Sequence, residues 1–357
     1  MNDALSWKSI FGSLVVAEDL TREQADWALR QIISAEASPA QVGGFLLAIR
    51  EKGESVTELS AFVDVLLEHS VKPPLPNDAI DIVGTGGDQI GTVNISSMAA
   101  ILVAATGHPV LKHGSRSASG KTGSSEMLEA LGINLNLTPE QLGKVFEKTG
   151  ISFFFAPLFH PALKNVGPIR KELGIPTTFN YLGPLANPVQ PVATALGVAN
   201  SSVAPLLAAE MASRGRTALV FRGSDGLDEL TTTGTSKIWV VSGSKVTETE
   251  LDPQDLGIPR AKVAQLIGGD ATENAQVARA VLDPETKLTG EQQAIQDIVA
   301  LNAAAGIAAY ELHKNPKSFD LHDELAKALA KTRSAISNGE ALAKLNQWVS
   351  VSQESGE

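Results

Sequence analysis

Between residues 79 and 241, short apolar runs of strand length alternate with helical stretches, and this alternation leaves the chain few folds to choose from. Strands are expected at 79–83, 108–112, 151–156, 193–198, 217–221 and 237–241, and helices at 96–106, 124–131, 138–148 and 201–213. Most of each strand-like run is apolar, which suits strands buried on both faces. A mainly parallel sheet covered by helices on both sides follows.

Residues up to about 70 carry a different pattern. Thr21-Arg-Glu-Gln24 is a capping box opening a helix over 25–37, Ser38-Pro39-Ala-Gln41 is a second, and Ser55-Val-Thr-Glu58 opens a third after Gly53 ends its predecessor. Val71-Lys-Pro-Pro-Leu-Pro76 reads as a stiff linker. Residues 161–173, closed by Gly174, read as a further helix, and the stretch near 161–190 is expected to rejoin the N-terminal helices. The expected fold class is α/β: a small N-terminal helical domain, 1–72, and a large α/β domain, 77–351, with a mainly parallel central sheet. Its last part, 261–351, is mostly helical by periodicity, and 352–357 is expected to be a loose tail.

Composition narrows the function classes. At 357 residues with 43% hydrophobic and 19% charged residues, the chain is an ordinary globular protein of one or two domains. It has no cysteine, so disulfides and thiolate metal sites are excluded. No signal peptide is read at the N-terminus, and the longest apolar run, 98–105, is far shorter than the roughly 20 residues that span a bilayer. A cytoplasmic protein without a membrane partner is expected. A net charge of −11 argues against nucleic acid as a partner.

One window breaks the acidic trend. From Asp88 to Glu126 no acid intervenes, while Lys112, Arg116 and Lys121 stand there with His108 and His113 among glycines and hydroxyl residues. Gly84-Thr-Gly-Gly-Asp88 follows the first strand directly, and a helix starts near Asn94-Ile-Ser-Ser97. Glycines let a backbone approach a phosphate closely, and a helix N-terminus points unpaired N–H groups at it. Taken alone, such a glycine cluster is an ordinary turn. Lys112-His-Gly-Ser-Arg-Ser-Ala-Ser-Gly120 follows the next strand, and alone it is a solvated basic loop. Two such loops at the carboxyl ends of parallel strands together suit a highly anionic small molecule.

Further ordered segments extend the pattern: 36–50, His160–Ala162, Arg170-Lys-Glu-Leu-Gly174, Phe179-Asn-Tyr-Leu-Gly-Pro-Leu-Ala-Asn-Pro188 and Asp225-Gly-Leu-Asp-Glu229. With Gly84–Asp88, Asn94–Ser97 and Lys112–Arg116, they make a chain that resembles the anthranilate phosphoribosyltransferases of tryptophan biosynthesis over nearly its whole length. The resemblance implies a helical domain and an α/β domain with the active site between them, and a homodimer through the helical domain. It implies transfer of the phosphoribosyl group of phosphoribosyl pyrophosphate to the amine of anthranilate, with magnesium, two ions, as cofactor. It places the donor on Gly84, Gly87, Asp88, Thr92, Asn94, Ile95, Ser96 and Ser97, then on Lys112, His113, Gly114, Ser115, Arg116, Ser117, Ala118, Ser119 and Gly120, and on Ser124. Magnesium falls to Ser96, Asp228 and Glu229. Anthranilate falls to Gly84, Ser115 and Arg170, with His113, Pro157, His160 and Gly183 nearby.

The chemistry is consistent with these residue types. The departing diphosphate gains charge as the anomeric C–O bond stretches, so catalysis is mainly electrostatic. Adjacent carboxylates such as Asp228 and Glu229 on a loop serve one ion or bridge two, and Lys112 adds a fixed cation. Arg170 has the planar fork that fits a carboxylate, a contact worth roughly 1.5–3 kcal/mol; a salt bridge to Glu172 is its plain alternative. The aromatic amine needs no strong base, and His113 either serves it, by orienting it or accepting its proton, or fills a core or capping role. Ser115 stands where the family usually has Asn, which bears on the acceptor contact. A pyrimidine nucleoside phosphorylase would share the fold yet give the Asp228-Glu229 pair no clear task, and a non-catalytic nucleic-acid binder would call for a basic surface.

Overall fold

The computed structural model describes residues 5–116 and 121–356. They fall into two compact units, one made of the chain up to Lys72 together with Ala156–Pro188, the other of Pro73–Phe155 with Val189–Glu357. Among the described residues no helix is long and apolar enough to cross a membrane.

The first unit opens with α1 (Trp7–Val15), α2 (Arg22–Ile33), α3 (Pro39–Lys52) and α4 (Val56–Glu68). The last three start where their capping boxes predict: the Thr21, Ser38 and Ser55 hydroxyls accept from the backbone N–H of Gln24, Gln41 and Glu58, whose side chains accept in return. Helix α1 is additional to the three expected. Its cap, Ser6, has Ser9 rather than Glu or Gln at the third position, so the sequence signal is incomplete. Packing holds it instead. Trp7 lies 5.5 Å from Phe11, 5.4 Å from Trp27 and 6.0 Å from Phe45, centroid to centroid.

The second unit begins with β1 (Ile80–Gly84), α5 (Ile95–Ala105), β2 (Val110–Gly114), α6 (Ser124–Leu131), α7 (Pro139–Thr149) and β3 (Ile151–Phe155). The chain then gives the first unit α8 (Ala156–Phe159), a 3-10 turn (Pro161–Asn165), α9 (Gly167–Leu173) and α10 (Phe179–Leu185). The single helix expected over 161–173 is therefore broken. Pro168 has no N–H to donate, so α9 restarts with this proline in its first turn, where none is needed.

Back in the second unit follow β4 (Ala193–Gly197), α11 (Ala204–Ser213), β5 (Thr217–Gly223), β6 (Ser236–Ser242), β7 (Lys245–Leu251), α12 (Ala271–Leu282), α13 (Gly290–Lys314), α14 (Leu321–Ser337) and α15 (Glu340–Glu354). Among the described residues, seven strands join one sheet in the order β3-β2-β1-β4-β5-β6-β7. The first five are parallel, while β6 and β7 are antiparallel to their neighbours. Strand β7 was not expected from its sequence. It is polar and almost wholly exposed, pairing only through a hairpin whose Gly243 takes φ +57°. Its charges protect the sheet edge from other chains.

Helices α5 and α13 carry the central packing, with α13 lying against β1, β4 and β5. Nearly every residue of α13 from Ile295 to Ala309 is buried, and its alanines and Gly306 allow the backbone close to the sheet. The tail expected to be loose from Ser352 is helical to Glu354. Ser352 is buried, and its hydroxyl accepts the Asn134 N–H at 3.0 Å.

Candidate active site

Strand order reverses between β1 and β4, because the chain moves outward from β1 through β2 to β3 and from β4 through β5 to β7. In open α/β sheets the crevice at the carboxyl ends of such a pair is where ligands bind. Here Gly84 and Gly197 are paired at those ends. The loop from β5 to β6 passes directly over them. A Cβ on Gly197 would overlap the Asp228 carbonyl, and a Cβ on Gly84 would overlap the Asp228 carboxylate. Both positions demand glycine because the loop is this close.

The loop is braced from within. Asp225 accepts from the Leu227 N–H at 3.1 Å and from the Thr231 and Thr233 hydroxyls. The two carboxylates that follow reach across to the Gly84–Asp88 loop and the start of α5. Asp228 Oδ2 accepts the Gly86 N–H at 2.7 Å, and Glu229 Oε1 accepts the Ser96 N–H, in the first turn of α5, at 3.1 Å. Glu229 thus lies at the positive end of a helix dipole.

Charge is concentrated here in a buried setting. Burial and the neighbouring Asp88 push Asp228 up to about 6. Glu229 is raised well above its ordinary value, by burial first and then by Asp228. Asp88 is raised by burial and Asp225, and it shares a hydrogen bond with Asp228. Lys112 is the buried counterion; burial pulls its pKa down, while Asp81, Glu229 and Asp228 oppose that. Its ammonium donates to the Ile82 carbonyl and, at 3.3 Å, to the Ser96 hydroxyl. Lys112 thus supports the site from beneath and does not project into solvent.

Among the described residues no three His, Asp or Glu side chains converge into a closed metal cage. Asp228, Glu229 and the Ser96 hydroxyl form an open, all-oxygen donor set with excess negative charge. That set fits magnesium, which keeps waters and takes further ligands from substrate phosphates.

The remaining expected donor residues have varied surroundings. Gly86, Gly87 and Gly91 take φ of +66°, +83° and +76°, giving the phosphate loop the left-handed turns that glycine permits. Asp88 meets other acids, so its carboxylate reaches an anionic donor only through a cation or a hydroxyl. Thr92 forms an antiparallel bridge to Ile267, and the Asn94 amide donates to Thr122 and accepts from Asn274. The Ile95 N–H is engaged by the Val93 carbonyl at 2.8 Å. Ser97 is buried with its hydroxyl unpaired. A Cβ on Gly114 would meet the Ser124 hydroxyl at 2.6 Å, and Ser124 donates to the Ser115 carbonyl at 3.1 Å. Arg116 is exposed, pairs with Glu129 at 3.2 Å and lies over the Phe155 ring. Ser117, Ala118, Ser119 and Gly120 lie outside the described residues.

His113 is 3% exposed within β2, its backbone N–H donating to the Asp81 carboxylate at 3.2 Å. Of the two roles open to it, this burial fits the core one.

The other expected acceptor residues belong to the first unit. Among the described residues Arg170 has no acidic partner: its guanidinium donates to Asn180 at 3.1 Å and lies over the Phe179 ring at 5.5 Å. The Glu172 salt bridge does not form, and burial lowers the Arg170 pKa. Pro157 is exposed, and Gly183 sits in α10 with open space where a Cβ would stand. His160 is buried, with Nε2 against the Ala186 carbonyl at 2.8 Å, and burial pulls its pKa down to about 4. It is a buried, neutral histidine.

Sequence reasoning missed several residues that hold the site. Gly197 was visible only as a glycine ending a strand. Asn274 bonds both Asn94 and the Gly269 N–H, and Asn302 pairs with Leu230, yet neither stands in a local motif.

Comparison with known proteins places this arrangement. Residues 8–70 match the glycosyl transferase family, helical bundle domain, and residues 76–342 match the glycosyl transferase family, a/b domain. The anthranilate phosphoribosyltransferase of Leifsonia xyli subsp. xyli is 48% identical over 355 residues, covering 99% of this chain and 100% of that protein. The chain belongs to the anthranilate phosphoribosyltransferases. The crystal structure of the Thermus thermophilus enzyme superposes with a TM-score of 0.85 at 36% identity, covering 96% of this chain and 99% of that one. The Saccharomyces cerevisiae enzyme, solved in complex with PRPP and Mg, also reaches 0.85, at 26% identity over 98% of this chain and 99% of its own.

Two outcomes follow from the geometry. Gly197→Ala forces the Asp228 backbone away from the strand ends and should lower kcat/KM on the order of 100-fold, with the fold retained by circular dichroism. Gly12→Ala, at an open helix position, should leave turnover unchanged. His160 has its ordinary value of 6.5 when unfolded and about 4 when folded. Its neutral ring therefore favours the fold fully above pH 6.5, and that stability is lost as pH falls towards 4, on the order of 3 kcal/mol. His160→Gln should flatten this part of the stability–pH curve in chemical denaturation. An unchanged curve contradicts the assignment.

Proposed function

We infer that the residues gathered at the carboxyl edge of the sheet carry out the reaction of this family. The chain transfers the phosphoribosyl group of phosphoribosyl pyrophosphate to the amine of anthranilate in tryptophan biosynthesis, giving N-(5-phosphoribosyl)anthranilate and pyrophosphate. The observation that carries the site assignment is Asp228 lying over Gly84 and Gly197, with its carboxylate on the Gly86 N–H and that of Glu229 on the Ser96 N–H.

In this reading the phosphate loop from Gly84 to Asp88 and the start of α5 receive the donor, with Thr92, Asn94, Ser96 and the loop after β2 completing its cradle. Asp228, Glu229 and the Ser96 hydroxyl hold magnesium, two ions. When bound, the metal neutralises charge on the departing diphosphate. Lys112 holds Ser96 and Ile82 in place and offsets the carboxylates. The anomeric C–O bond breaks with its electron pair going to pyrophosphate, the amine nitrogen forms the new C–N bond, and the ammonium proton then passes to water. An aromatic amine is nucleophilic enough that no residue is assigned as its base. Arg170, steadied by Asn180 and Phe179, takes the anthranilate carboxylate through its planar fork. The same yeast enzyme solved with 4-fluoroanthranilate supports an acceptor of this class.

A cytoplasmic homodimer completes the proposal. Its support is the exposed apolar surface of the helical unit, where Leu5, Val15, Val16 and Leu47 are 45%, 76%, 62% and 51% accessible. The nucleoside phosphorylase reading loses to the extent of the match with anthranilate enzymes and to the carboxylate pair.

Combining Asp228→Asn with Glu229→Gln should lower turnover by a factor on the order of 1,000 or more with the fold intact, measured as loss of anthranilate fluorescence with donor and magnesium. Wild-type turnover would remove the metal assignment. Arg170→Ala should raise KM for anthranilate about 10- to 100-fold and that for the donor far less. Equal changes in both would make Arg170 a structural residue.

A further inference from the structure

Asn302 stands in the middle of α13 with no exposed surface. An amide in that position is tolerated only when its polar atoms are satisfied. Its Oδ1 accepts the Leu230 N–H, and its Nδ2 donates to the carbonyls of Leu230 and Ile298, all at 2.9 Å. The side chain therefore pairs with both backbone groups of the residue that follows Glu229, as a neighbouring strand would. One helical turn later on the same face, Gly306 rests against β1: a Cβ there would meet Ile82 Cδ1 at 2.8 Å and Ile80 Cγ2 at 3.5 Å. The same helix face is seated on the strand that leads into Gly84 and grips the backbone leaving the carboxylates. Asp225 braces the near side of this loop, but its partners Leu227, Thr231 and Thr233 all lie within the loop itself. The Asn302 bonds tie it to a separate rigid element.

We propose that Asn302 is a positioning residue for the transfer reaction, setting the height of the Asp228-Glu229 pair above β1 through Leu230. The proposal rests on the assignment of those two carboxylates to the metal ions. Asn302 touches neither substrate. Its effect is on how well the carboxylate pair matches the ions, and partners of that kind tune metal affinity more than they tune the chemistry of the other substrate.

The test uses the full-length enzyme with Asn302→Leu, near in shape and without polar atoms, and Asn302→Asp, which keeps the acceptor for the Leu230 N–H. The apparent magnesium constant, kcat and both KM values are measured beside the Asp228→Asn, Glu229→Gln double variant, with a thermal midpoint taken without metal. Asn302→Leu should raise the magnesium requirement about 10- to 100-fold while KM for anthranilate stays within about threefold, and raised magnesium should restore turnover. Asn302→Asp should fall between it and the wild type, and it carries the comparison if the leucine variant does not fold. Wild-type magnesium dependence in a folded variant overturns the proposal. So does a loss that magnesium never restores and that affects both substrates alike. Either result leaves the carboxylate assignment standing if the double variant is inactive, whereas an active double variant removes that assignment itself.

Discussion

The site depends on one close crossing: the backbone and carboxylate of Asp228 lie against the ends of β1 and β4 where a Cβ would stand. Side chains on Gly84 or Gly197 would lift the loop away from the crevice. With glycine at both, Asp228 reaches the Gly86 N–H and Glu229 reaches the start of α5. The sheet, the phosphate loop and the acidic loop thereby become one rigid constellation, which catalysis by electrostatic preorganisation requires.

The same crossing concentrates negative charge where water is scarce. Asp228 is held above its ordinary pKa by burial and by Asp88, and Glu229 by burial and by Asp228, with Lys112 as the buried cation. Such an arrangement is unfavourable in isolation and favourable once divalent cations and an anionic donor fill it. An overall charge of −11 is compatible with a polyanionic substrate for this reason. In the proposed site, contact with the donor runs through backbone N–H groups, hydroxyls and metal, and the general surface field matters less.

Much of this was legible in the sequence where local chemistry speaks directly. Capping boxes at Thr21, Ser38 and Ser55 located three helices, and the mainly apolar runs located six strands to within a residue or two. Strand β7 escaped because Lys245–Leu251 is exposed and polar, held by pairing alone. Helix α1 escaped because its Ser6 cap lacks the reciprocal Glu or Gln of a capping box and an aromatic cluster secures it. In the site, Gly84 and Asp228 could be read from motifs, but Gly197 becomes meaningful only when the distant loop is seen above it. Lys112 and His113 look like solvent-facing chemistry in a basic window, yet strand pairing buries both. Burial of polar residues is a property of tertiary packing, which a linear pattern does not carry.

The most direct measurement is a crystal of the protein with phosphoribosyl pyrophosphate and manganese in place of magnesium, read by anomalous scattering. The account predicts peaks bonded to the Asp228 and Glu229 carboxylates at about 2.0–2.3 Å, with diphosphate density against the Gly84–Asp88 loop. Metal and diphosphate lodged elsewhere, with the carboxylate pair still bonded only to Gly86 and Ser96, would contradict it.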